Sequence, residues 1–126
     1  MPRQIVDTTQ APGAAASQPY SQAVKAAGLV FVSGQGPLDP STGTVIGDTT
    51  EEQTRQCLTN IQAILRASGS SMDKIVQATV ILRDPEDFSA MNAEWARWFP
   101  KDPPARQGAK LPVDFFRVSI AVVAEA

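Results

Sequence analysis

Apolar and polar positions follow two rhythms along this chain. In one segment Cys57, Leu58, Ile61, Ile64 and Leu65 recur at steps of three and four, the spacing that gathers side chains on one helical face. Thr49 with Glu52, or Thr50 with Gln53, offers a capping box at its start, and Gly69 offers a stop. A second helix is expected after Asp84 as N-cap and Pro85 as first helical residue. Its stripe is Phe88, Met91, Trp95 and Phe99, and Pro100, Pro103 and Pro104 end it.

The other segments read as strands. "YSQAV" and "GLVFVSGQ" form two, joined by a turn near Ala27-Gly28. "KIVQATVIL" is β-branched and apolar, as a strand requires. Arg106–Lys110 reads as extended, and Arg117–Ala124 as a last strand, apolar on both faces. A short strand near Arg3–Val6 precedes them, and residues 7–18 read as an exposed lead-in. Pro37, Asp39-Pro40 and Gly43 mark the turn-rich stretch before the first helix. The order β-β-β-α-β-α-β-β predicts an α+β fold, a mixed sheet with two helices on one face. The last strand leaves an apolar surface on the opposite face, so a second subunit is expected to cover it.

At 126 residues, 1–126 reads as one domain. Lys and Arg total 11 against 13 Asp and Glu, with no basic run, so no nucleic-acid footprint is visible. No stretch approaches the ~18 apolar residues of a membrane span. The N-terminus lacks a charged start followed by an apolar run, so the expected location is cytoplasmic. No histidine and one cysteine, Cys57, leave no expected metal site or cofactor and no Ser-His or Cys-His nucleophile pair. Cys57 lies on the apolar face of its helix and reads as core.

Arg106 follows "Pro103-Pro104-Ala105" and presents a rigid fork of donors matched to a carboxylate. A surface ion pair is the alternative reading. In "Val32-Ser33-Gly34-Gln35-Gly36" a strand runs into a Ser-Gly turn. There Ser33 offers a hydroxyl and Gly34 an approachable backbone N–H, or the turn is an ordinary one. Tyr20, the one tyrosine, either orients a ligand or is a half-buried ring. Asn92 sits beside the stripe of the second helix, and its amide needs partners. Removal of Met1 exposes the Pro2 amine, a further candidate base.

Together "PYSQAV", "VFVSGQGPLDPSTG", "EEQTRQCLTNIQAIL", "ATVILRDPEDFSAMNAEWARWF" and "PPAR" resemble the Rid (YjgF) family of reactive intermediate deaminases. The likeness runs from about Pro19 to Arg106 and loosely on to Ala124. It implies a chorismate-mutase-like fold and a homotrimer, three subunits closed into a barrel with clefts between neighbours. It implies hydrolysis of 2-imino and enamine acids to 2-keto acids and ammonia without a cofactor. Arg106 then clamps the substrate carboxylate, and Tyr20, Ser33, Gly34 and Asn92 fall on the other site positions. Two positions depart from the pattern. Gly108 stands where deaminating members carry a cysteine. Ser119 falls at the position of the last-strand glutamate that, in those members, orients the attacking water. A hydroxyl is a poor general base at neutral pH. Four functions follow: imine deamination, an enzyme on another reactive intermediate, a non-catalytic binder of small carboxylates, and RNA cleavage. The missing histidine and basic face speak against the last.

Overall fold

The computed structural model describes residues 2–13 and 19–126. Strands β1 (Gln4–Val6), β2 (Ala23–Ala26) and β3 (Leu29–Gln35) come first, followed by helix α1 (Thr50–Ala67). Strand β4 (Ile75–Leu82), helix α2 (Phe88–Trp98), and strands β5 (Ala105–Lys110) and β6 (Val118–Glu125) complete the chain. The order matches the sequence pattern. All six strands join one sheet in the order β1-β2-β3-β6-β4-β5. β5 pairs parallel to β4, and every other pairing is antiparallel, so the sheet is mixed.

Local chemistry accounts for several boundaries. Ala27 and Gly28 both have positive φ, 55° and 78°, in a two-residue loop between paired Ala26 and Leu29. Positive φ at both loop positions suits the right-handed twist of a hairpin. For α1 the structure selects Thr49 and Glu52. The Thr49 hydroxyl accepts from the Glu52 N–H at 3.1 Å, and the Glu52 carboxylate accepts from the Thr49 N–H at 3.1 Å. The Thr49 hydroxyl holds the Glu52 carboxyl below its ordinary range. At the other end Gly69 takes a φ of 83°, and the N–H groups of Gly69 and Ser70 donate to the carbonyls of Arg66 and Leu65.

Asp84 does not cap the second helix with its side chain. Residues Pro85–Asp87 form a single 3₁₀ turn, and the Asp84 carboxylate instead accepts from Arg83 Nε at 3.0 Å. The neighbouring guanidinium wins this carboxylate because a charge-assisted bond outweighs a neutral cap.

Val118, Ile120, Val122 and Ala124 of β6 are buried against α1, with Val30, Val32, Ala78 and Val80 beside them. Leu58, Ile61, Ile64 and Leu65 fill the core from the helix side. Cys57 joins them, fully buried, its Sγ donating to the Val118 carbonyl at 3.4 Å. Burial pushes the thiol well above its ordinary range, so it is inert at neutral pH. The alternate residues Ala121 and Val123 are only half-buried, and Phe31, paired with Val123, is 43% exposed. The sheet therefore leaves an apolar, partly open face away from the helices.

Candidate functional site

Arg106 stands on β5, the edge strand, in register with Ala78 of β4 and through it with Val122 of β6. Those partners are buried beneath the helices, so Arg106 shares the helix side of the sheet. There α2 meets it. The guanidinium carbon lies 5.2 Å from the Trp95 ring centroid and 5.7 Å from that of Phe88. Its Nη1 is 3.8 Å from Met91 Sδ. Aromatic faces attract a guanidinium through their quadrupole and leave its in-plane donors free. The parallel ladder and this cradle fix the side chain, beyond any stiffness from Pro103 and Pro104. Among the described residues, no carboxylate pairs with Arg106.

The guanidinium borders a cavity of about 550 Å³. Its walls are apolar at Val80, Leu82, Pro85, Phe88 and Met91, and cationic at Arg83, Arg106 and Lys110. No Asp or Glu lines it. Gly108 lies on its floor, where a Cβ would stand 3.2 Å from the Val80 carbonyl. A side chain there would need the β4 backbone to yield by a few tenths of an ångström.

The remaining candidates form a second group on the other side of the sheet's centre. Ser33 donates its hydroxyl to the Ser21 carbonyl at 2.6 Å and its N–H to the Gln22 carbonyl at 2.9 Å. These bonds fasten the segment that carries Tyr20, which is 54% exposed beside a cavity of about 140 Å³ near Ile5 and Gln22. A Cβ at Gly34 would stand 3.2 Å from Ser119 Oγ, so β3 and β6 approach closely there. Ser119 pairs with Ile81 and lies on the face away from the helices. From β2 to β5 the sheet order counts four strand steps, roughly 19 Å at ~4.8 Å each. Ser119 on β6 is two steps from β5, roughly 10 Å, but on the opposite face. One chain therefore unites Arg106 with Gly108, Gly34 with Ser119, and Ser33 with the segment that carries Tyr20, and keeps Arg106 on the other face from Ser119 and four strands from β2. Asn92 is exposed on α2 near the first group but does not line the cavity, so solvent meets the amide's hydrogen-bonding need. Pro2 is exposed, and Met1 lies outside the described residues, as do residues 14–18 of the expected lead-in.

Sequence reading missed Arg83 and Lys110 as cavity residues. For Lys110 the signal was present: Arg106, Gly108 and Lys110 alternate along one strand and so share a face. It also missed the cradle, because Phe88, Met91 and Trp95 read only as an apolar stripe. Two carboxylates of this region, Asp87 and Glu94, do not line the cavity. Glu94, on α2, is buried and receives Arg55 Nε at 3.1 Å, Arg55 Nη2 at 3.0 Å and Trp98 Nε1 at 3.0 Å. The Arg55 bond holds its carboxyl below the usual range. Asp87 accepts from the Thr50 hydroxyl at 2.9 Å and pairs with Arg117 at 3.5 Å. Both are satisfied within the chain and serve its packing.

No group of three or more His, Cys, Asp or Glu among the described residues could hold a metal ion, and no described helix is long and apolar enough to cross a membrane.

Comparison with known proteins adds to this geometry. The family model described as Endoribonuclease L-PSP matches residues 8–126. The chain is 44% identical over 115 residues to the chloroplastic Reactive Intermediate Deaminase A of Arabidopsis thaliana, covering 89% of this chain and 60% of that one. It is 42% identical over 113 residues to the 2-iminobutanoate/2-iminopropanoate deaminase of Capra hircus, covering 87% and 81%. The crystal structure of E. coli TdcF with bound serine superposes with a TM-score of 0.87, at 33% identity and 98% coverage of each chain.

Proposed function

The chain belongs to the Rid (YjgF) family, whose model carries the endoribonuclease L-PSP description, and from that premise we propose that it deaminates reactive 2-imino and enamine acids in the cytoplasm. The observation that carries this reading is Arg106, a guanidinium cradled by rings and without a carboxylate partner, at the mouth of an apolar cavity. A substrate carboxylate supplies the missing anion in two-point fashion. The serine bound to the related TdcF is a small molecule of that type.

The reaction asks little of the protein. A protonated imine reacts with water: the C–O bond forms, the C–N bond breaks, and the products are a 2-keto acid and an ammonium ion. Holding the carboxylate and placing one water supplies much of the gain by proximity. Gly108 offers its backbone beside Arg106. Tyr20, Ser33, Gly34 and Ser119 complete the cleft from a neighbouring copy in a homotrimer, with Asn92 at its rim. The separation of the two groups within one chain and the half-open apolar sheet face both favour such an assembly.

The second reading is a binding protein for small carboxylates. It is favoured by the absence of Asp or Glu from the cavity wall and by Ser119 on the last strand. Hydrolysis of freshly generated 2-iminobutanoate and 2-iminopropanoate, with leftover imine trapped by semicarbazide, separates the two. Acceleration by wild type and none by Arg106→Ala supports deamination. Uncatalysed rates for both, with keto acid still bound by wild type, support the binder.

A further inference from the structure

We propose that the Arg106 cavity selects substrates carrying a second anionic group, so that its preferred imine is a dicarboxylate. The proposal rests on the carboxylate-clamp reading above and adds the identity of the substrate's far end.

Arg106, Gly108 and Lys110 project from the same face of β5, because alternate residues of a strand do so. Their partners on β4 are Ala78, Val80 and Leu82. Arg106 and Lys110 are four residues apart, roughly 13 Å along the strand at ~3.3 Å per residue. Gly108 between them adds no side chain, and a Cβ there would crowd Val80. Along β5 the cavity therefore has a cation at each end, with Gln107, Gly108 and Ala109 between them. Both side chains are long enough to converge on a ligand of five or six carbons.

Both cations are uncommitted, unlike Arg55, Arg83, Arg97 and Arg117, each of which meets a carboxylate. Among the described residues neither Arg106 nor Lys110 has an ion-pair partner, whereas Arg83, which also lines the cavity, is held by Asp84 at 3.0 Å. With Arg83 answered by Asp84, two unpaired cations remain on the wall, and one substrate carboxylate balances only one of them. The apolar walls between the cations suit the methylene spacer of a diacid.

The test compares 2-oxoglutarate with 2-oxobutanoate, the stable keto acids of a diacid and a monoacid imine, by calorimetric titration at low salt. Wild type is expected to bind the diacid roughly fivefold or more tightly, the scale of one exposed charge pair. Lys110→Ala is expected to collapse that ratio to about one, and Lys110→Arg to keep it. Equal binding of the two acids overturns the proposal while leaving the clamp reading intact, provided that both still depend on Arg106. A ratio that survives Lys110→Ala also overturns it. Binding indifferent to Arg106→Ala, or none to either acid, brings down the clamp reading and this proposal together.

Discussion

The seam between α1 and α2 and the β5 edge each hold an arginine, and the two are treated in opposite ways. At the seam Arg55 makes a forked bond to buried Glu94, which also receives Trp98. Every charge there is answered from within the chain. At the edge Arg106 meets ring faces and a sulfur, and no carboxylate among the described residues answers it. Rings and sulfur steady a guanidinium without occupying its donor fork. A cation that serves folding is neutralised where it stands. One kept oriented and unpaired is free to meet an anion from outside.

The sharpest way to break this contrast is Arg106→Ala. Imine hydrolysis or keto-acid binding is expected to fall by about 10²-fold or more, the scale of a lost bidentate charged contact plus misorientation. The thermal midpoint should fall by only a few degrees, the scale of about 1 kcal/mol of lost ring contact, because removing an unpaired, half-exposed cation strands no partner charge. A midpoint drop as large as that of a core variant would show that Arg106 is structural.

Glu94→Gln is the mirror experiment. It should lower stability by about 1–2 kcal/mol at neutral pH, discounted for the half-exposed Arg55, while kcat/KM holds. The sign with pH follows from the lowered carboxyl. The ionised form is favoured in the folded state, so its contribution is present above about pH 4.3, the unfolded value. It is lost as pH falls through the lower folded value. Wild-type and Glu94→Gln denaturation curves should therefore converge in acid. A difference that persists or grows below that range would refute the assignment.

Phe88→Ala tests the cradle itself. Phe88 is 51% exposed, so its removal should cost little stability. Loss of one ring face is worth about 0.5–1 kcal/mol, which loosens Arg106 and weakens carboxylate binding about threefold. Unchanged binding would mean that Trp95 and Met91 suffice. Smallest in reach is Thr49→Ala, which removes the α1 cap at about 1 kcal/mol and should leave the cavity's ligand preference where it was.

The elements were legible because their signals are local. Helix α1 shows its face at Leu58, Ile61 and Leu65, its cap at Thr49 and its stop at Gly69, all within its own length. Asp84 shows where local reading fails: a good capping residue sits beside Arg83, and the ion pair takes it. The open sheet face was legible in outline from "Val118-Ser-Ile-Ala-Val-Val-Ala124", and Phe31 and Val123 bear it out. Arg106 could be singled out by its setting. Its cradle could not, since Phe88, Met91 and Trp95 carry the same helical spacing whether they meet a core or a cation.

The sequence by itself determined the order and kind of the elements, the capped helix, the inert cysteine and the candidate arginine. These depend on hydrogen bonds and periodicities that act within a few residues. Only the tertiary structure decided that β6 inserts between β3 and β4, and that β5 closes the sheet in parallel as an edge. It alone decided that Arg55 finds Glu94 39 positions away while Arg106 finds no acid. Sheet order and charge pairing are settled by residues distant along the chain, competing for the same neighbours, and that competition is resolved only when the whole sheet has formed.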